Sequence, residues 1–300
     1  MYEQIARNKR RSFFLVFLVL LLAAGLGFVF GILFDAGPIG IVVALIIAGV
    51  MSWTSYRYGD RVVLRVSRAR PASREEFPRY HNIVEGLCIA AGILKPALYV
   101  IPEKAPNAFA TGRDPEHASV AVTEGLLEAL NRVELEGVLA HELAHVRNRD
   151  ILVGTLVATL VGVVALLADW MLRAFFWGGY RGRRGDRGGG GFGGIIAIAG
   201  LVLAALAPLF AQLIRLAVSR RRELLADADG ALLSRYPPGL ASALRKIAAS
   251  TEPLRASNNA TAHLWFSQPS RTPGSGWTRW ERLFSTHPPV DERIKALEEM

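Results

Sequence analysis

The chain has 300 residues, 51% of them hydrophobic, and a formal charge of +9, which points to a membrane protein rather than a water-soluble one. Its single cysteine, Cys88, excludes an internal disulfide and a cysteine-based zinc cluster, and fits a reducing compartment. The arginines lie beside apolar runs and no nucleic-acid recognition motif accompanies them, so the basic charge suits anionic lipid headgroups and argues against nucleic acid as a partner.

Residues 1–11 form a basic N-terminus with Arg7, Lys9, Arg10 and Arg11, followed by an apolar run over 12–34. At ~1.5 Å per helical residue that run can cross a bilayer. A second apolar run follows almost at once, which favours an uncleaved anchor over a cleaved signal peptide. A tight turn at Asp35, Ala36, Gly37 and Pro38 leads into the second span, about 38–56, which closes on the interface aromatics Trp53 and Tyr56. Residues 12–56 are therefore expected to form a membrane hairpin. Arg57, Arg61, Arg65, Arg68 and Arg70 share a side with the basic N-terminus, and the excess of positive charge places that side in the cytoplasm.

The first part of a soluble domain, 57–150, begins there. Ile83, Val84, Leu87, Cys88 and Ala91 recur at helical spacing and Gly92 can end the run, so the pattern predicts an amphipathic helix from about Phe77 to Ala91. Leu98 to Ile101 and Ser119 to Thr123 read as strands. Between them Asn107, Ala108, Phe109 and Ala110 read as a short strand of small residues. It is either an ordinary edge strand or one whose backbone pairs with an extended peptide substrate.

A helix starting near Arg132 carries His141-Glu142-Leu143-Ala144-His145. Residues four apart stack on one helix face, so both imidazoles can reach one ion, while Glu142 projects nearby and can take a proton from a water without being a ligand. This is the H-E-x-x-H arrangement of zinc peptidases. The apolar run at about 151–172 predicts a third span, a loop rich in Gly and Arg occupies 178–194, and a fourth span is expected at about 194–216. Two crossings return the chain to its starting side, where the run from Ser219 to Asp227 begins the second soluble part, 217–300. Glu223 can then supply the third zinc ligand, leaving a position for water, and Asp227 one turn later can accept a hydrogen bond from a ligand histidine. If both helices continue unbroken into their spans, the ligands lie only ~9 to 11 Å along the axis from the apolar region.

The string H-E-L-A-H-V-R-N-R-D, then a membrane span, then S-R-R-R-E-L-L-A-D, then T-H-P-P-V-D-E-R-I resembles the HtpX family of membrane zinc endopeptidases, relatives of the CAAX prenyl proteases. The likeness runs from the two leading spans through N-A-F-A-T-G to His287 and Arg293, and the Gly/Arg-rich insert departs from it. The resemblance implies one zinc ion, a catalytic domain facing the cytoplasm from a bacterial inner membrane, and quality-control cleavage of membrane or misfolded proteins in a stress response. It also implies that His287 donates to the oxyanion, with Arg293 orienting it or pairing with an acidic partner. His81, His117 and His263 lack such a context and are expected at the surface. The stretch 251–277 reads as a loop in which Trp265 and Phe266 meet either the lipid surface or a substrate groove.

The fold class expected is a mainly α integral membrane protein, with four transmembrane helices and a zincin-like α+β catalytic domain. Two other functions are open: an inactive scaffold or chaperone that keeps zinc for structure, and a prenyl-peptide protease. Glu142 favours an enzyme, since a structural zinc has no use for a base. The sequence is silent on oligomeric state.

Overall fold

The computed structural model describes residues 2–33, 37–160, 220–257, 261–267 and 288–300. The Gly/Arg-rich loop, the fourth span, the far end of the third and His287 lie outside these residues. The first helix, α1, spans Tyr2–Leu33, and α2 spans Pro38–Val66 and packs against it. The basic N-terminus is thus the start of α1 rather than a tail, and Asn8 within it is buried. Among the described residues Ile41–Val66 is the one helix long and apolar enough to cross a membrane by length and composition, and a shorter apolar helix covers Asp150–Leu160. α2 runs on past Trp53 and Tyr56 to Val66, so its last turns carry Arg57, Arg61 and Arg65 beyond the aromatic belt.

A four-stranded sheet follows, built from β1 (Arg70–Pro71), β2 (Ala97–Ile101), β3 (Ala108–Gly112) and β4 (Ala118–Thr123) in the order β1-β2-β4-β3. The pairs β1–β2 and β3–β4 are antiparallel and β2–β4 is parallel. Helix α3 (Pro78–Ala91) ends at Gly92, whose φ of 65° is the left-handed cap expected of it. Every residue of β3 and β4 is buried, because both sheet faces are covered. Val120, Val122, Ala108 and Ala110 face the main core beside α3 and α5. Phe109 and Ala121 alternate to the other face, where Val63 and Leu64 of α2, Ala158 and Trp265 close over them. The end of α2 is therefore part of the core that packs on the sheet.

After a short α4 (Glu124–Ala129), α5 (Arg132–Arg147) begins with a reciprocal cap. Asn131 Oδ1 accepts from the Glu134 amide at 3.0 Å and Glu134 Oε2 from the Asn131 amide at 2.9 Å. α5 is buried on nearly all sides by α3, β3, α7 (Arg220–Ser234) and α8 (Pro237–Ala249). It approaches α7 closely because Gly230 presents no side chain there: a Cβ on it would lie 2.8 Å from the His141 amide nitrogen. α5 stops at Arg147, Asn148 caps it, and Arg149 takes a left-handed φ of 57° before α6 (Asp150–Leu160) starts. The unbroken helix assumed from the sequence is therefore interrupted just after the second histidine, and the axial distance computed from it does not hold. The Asn148 side chain donates to Asp229 Oδ2 on α7 at 2.8 Å, which fixes this end of α5, and the break lets the chain turn into α6. A last helix, α9 (Val290–Glu298), packs on α7 and α8.

Candidate active site

His141 and His145 stand one turn apart on α5, with their Nε2 atoms 3.1 Å from each other. Glu223, on the first turn of α7, brings Oε2 to 3.8 Å from His141 Nε2 and Oε1 to 3.5 Å from His145 Nε2. Four ligands arranged tetrahedrally at ~2.0–2.1 Å from an ion sit ~3.3 Å apart, so these three donors are spaced for one ion. The other nitrogen of each ring faces a carboxylate. His145 Nδ1 is 3.1 Å from Asp150 Oδ2, and His141 Nδ1 is 2.9 Å from Asp227 Oδ1, though off the ring N–H axis. With Nδ1 carrying the proton, each Nε2 directs a lone pair at the same point. Two lone pairs at that distance repel unless a cation lies between them, so the donor set fits a metal.

The electrostatics follow from burial. His141 is lowered to about 4, chiefly by burial, against which Asp227 acts. Burial also lowers His145, but the hydrogen bond to Asp150 and the Glu223 and Glu142 carboxylates outweigh it and raise it to about 9 in the metal-free protein. Glu142 is 2% exposed. Burial and the Glu223 charge raise it to about 7, against His145, Arg293 and a hydrogen bond from the Ala110 amide. A carboxylate tuned near neutrality is suited to taking and returning a proton.

Behind His141 lies a buried ion pair. Arg293, only 1% exposed, donates from Nε to Asp227 Oδ2 at 2.8 Å and from NH2 to Oδ1 at 2.7 Å. Its NH1 donates to the Phe266 carbonyl at 3.1 Å, and the guanidinium lies 4.7 Å from the Phe266 ring centroid. Of the two roles expected for Arg293, pairing with an acid is the one seen.

Of the two surfaces expected to meet Trp265 and Phe266, the groove is the one seen: both line the cleft beside the donors and are otherwise buried, Trp265 edge-on to Phe109 at 4.9 Å and Phe266 edge-on to His141 at 5.0 Å. A short motif of aromatics in a polar stretch gives no hint of which surface it will seal. His263 is buried rather than exposed and lines the cleft, with Nε2 3.1 Å from the Gly154 carbonyl oxygen. His117 is exposed as expected.

β3 is an edge strand, but most of its outer edge is occupied. The Ala108 carbonyl accepts from the Phe266 amide at 2.8 Å, and Ala108 N donates to the Asn107 side chain. The Gly112 amide donates to Thr155 Oγ1 at 3.1 Å. Asn107 uses its side chain to bind Ser267, donating to its carbonyl at 2.8 Å and accepting from its amide at 3.2 Å. Asn107 and Ala108 thus hold the 265–267 segment, and the expectation of an open edge along 107–110 narrows to Ala110, which lines the cleft. Phe109 points to the opposite face, against Trp265.

Sequence reasoning missed Asp150. Five residues after His145 it would stand on another side of a continuous helix, and only the turn at Asn148 and Arg149 brings it back to the ring. Ile151 and Gly154 line the cleft, so the site lies against the first turns of apolar helix α6.

A family model described as Peptidase family M48 matches residues 74–300. The chain is 46% identical over 300 residues to the protein named "Protease HtpX homolog" of Thermoanaerobacter pseudethanolicus, covering 100% of this chain and 98% of that protein. Its counterpart in Tropheryma whipplei (strain Twist) is 45% identical over 300 residues, with the same two coverages of 100% and 98%. The Pyrococcus furiosus counterpart is 45% identical over 279 residues, or 92% of this chain and 90% of that one. The crystal structure of S. mikatae Ste24p is 20% identical, with a TM-score of 0.47 over 99% of this chain and 67% of that one. Because the family match takes in both halves of the site and relatives of this identity run the length of the chain, the protein belongs to peptidase family M48 as an HtpX-type membrane metallopeptidase.

Proposed function

We propose that the metal is one zinc ion held by His141, His145 and Glu223, and that the protein is an endopeptidase cleaving membrane or unfolded proteins at the cytoplasmic face in protein quality control. The observation that carries this is the convergence of the three donors beside a buried Glu142 that is not one of them. Two imidazoles and a carboxylate are a set used by catalytic zinc, with a fourth position left for water or substrate. The chemistry supplied at that position is Lewis acidity towards a water and a peptide carbonyl. Glu142 accepts the water's proton as the oxygen attacks the carbonyl carbon, then delivers a proton to the leaving amine. Asp150 and Asp227 keep the rings oriented, and Arg293 holds Asp227. His287 donates to the substrate oxyanion, a role carried over from the family resemblance. Ala110 flanks the substrate chain next to Glu142.

A scaffold holding zinc for structure would have no need of a buried base at about pH 7 next to the donors. Sidedness is supported by the arginines of α2 and the basic start of α1, and the order of apolar runs supports four spans.

On this reading α6 enters the bilayer, so the cleft that its first turns line sits at the membrane surface, and a peptide bond reaches it only where its segment leaves the bilayer. Cut sites mapped on several membrane substrates are expected in cytoplasmic loops, tails and juxtamembrane segments. Cuts clustered mid-span, or in loops on the far side of correctly oriented substrates, would overturn both depth and sidedness.

A further inference from the structure

Asn8 stands near the start of α1. It sits among Arg7, Lys9, Arg10 and Arg11, yet is only 3% exposed. Its Nδ2 donates to the Asn148 carbonyl at 3.0 Å and to Asp150 Oδ1 at 2.6 Å. Both partners are pure acceptors, so the amide must turn its NH2 group towards them, and each of its two hydrogens has a destination. The two acceptors flank Arg149, the non-glycine residue at φ 57° where α5 turns into α6. Asp150 in turn places its other oxygen 3.1 Å from His145 Nδ1. Arg222 NH1 also approaches Asp150 Oδ1, but at 3.4 Å, so Asn8 makes the shorter bond to that oxygen.

We propose that Asn8 is a positioning residue for the metal centre: by holding Asp150 and the turn that carries it, the first helix fixes the ring of His145 for metal binding. This rests on the assignment of His145 as a metal ligand. The chain of contacts is short and polar throughout: Asn8 to Asp150, Asp150 to His145 Nδ1, His145 Nε2 to the metal position. An aspartate left to rotate towards Arg222 would release the imidazole, and such outer partners of ligand histidines typically change metal affinity 10–100-fold. A residue more than a hundred positions away in sequence thereby becomes part of the site, so that the anchor and the metal centre assemble together.

Zinc affinity of purified full-length protein, measured by competition with a chromophoric chelator, tests this without recourse to activity. Asn8→Ala is expected to weaken zinc binding by roughly 10–100-fold with little change in the melting temperature of the metal-free protein. Asp150→Ala should weaken it similarly, and adding Asn8→Ala to Asp150→Ala should cost little further, because Asn8 reaches His145 through Asp150. Asn8→Asp, which keeps the shape but sets a carboxylate against Asp150, should also lose affinity, and it serves if the alanine variant does not fold. Unchanged affinity in Asn8→Ala or Asn8→Asp, or fully additive losses in the double variant, would overturn the proposal. If His145→Ala binds zinc as tightly as the parent, the ligand assignment has failed instead.

Discussion

Replacing Glu142 by Gln is expected to lower turnover by roughly 10²–10⁴-fold, the usual contribution of a positioned acid–base group, while zinc stays bound. The amide is nearly isosteric with the carboxyl and leaves His141, His145 and Glu223 untouched. It cannot accept the proton from the attacking water. Its site is also suited to a neutral group: Glu142 is buried, and burial first and Glu223 second already push it up to about 7. The variant should therefore fold at least as well as the parent, so that loss of activity reports on chemistry. The check is kcat on a model membrane substrate together with metal content per protein. Parental turnover from a preparation free of other proteases would remove Glu142 from the mechanism, and loss of zinc would make it structural.

Arg293→Ala is expected to destabilise the protein by about 3–5 kcal/mol, the cost of leaving one partner of a buried ion pair alone. Asp227 would then be a buried carboxylate without its bidentate partner. Burial raises its pKa, and only the Arg293 charge and hydrogen bonds, helped by His141, hold it down at about 2. Since that value lies below the unfolded one, the pair's contribution is complete above pH ~4 and fades as the pH falls through about 2. At ~2–4 °C per kcal/mol for a domain of this size, the melting temperature should drop by roughly 6–20 °C. The loss extends to the site, because Asp227 lies beside His141 Nδ1 and the Phe266 carbonyl loses its donor. Asp227→Asn should cost a comparable amount, and the double variant much less than the sum. A melting temperature within a degree or two of the parent, or strict additivity, would show that the pair is not the anchor of this side of the site.

The candidate metal donors were legible because their information is local. His141 and His145 are one helical turn apart, and Glu223 sits in a short motif whose side of the membrane follows from counting apolar runs. β2 and β4 were legible from their apolar and β-branched runs, β3 from its small residues and α3 from helical spacing ended by Gly92, whereas the two-residue β1 left no such pattern. What supports the donors was not. Asp150 reaches His145 only through the left-handed turn at Arg149, a conformation that Arg does not advertise. Asn8 lies in a run of basic residues that reads as a lipid-facing flank. Trp265, Phe266 and His263 sit in a polar, proline-bearing stretch, and their burial depends on Phe109, His141 and Gly154, each distant in sequence. Asp227 was expected beside a histidine, but its bidentate partner had two possible roles until Arg293 was placed.

In the proposed mechanism, one zinc ion at His141, His145 and Glu223 makes this protein a peptidase. The most direct measurement is cleavage of a model membrane substrate by full-length protein stripped of metal and titrated with zinc. Activity is expected to be absent at the start, to rise in proportion to added zinc and to level off at one ion per chain, with no recovery in Glu223→Ala at the same concentrations. Undiminished cleavage by the stripped protein, or recovery in Glu223→Ala that matches the parent, would contradict the account.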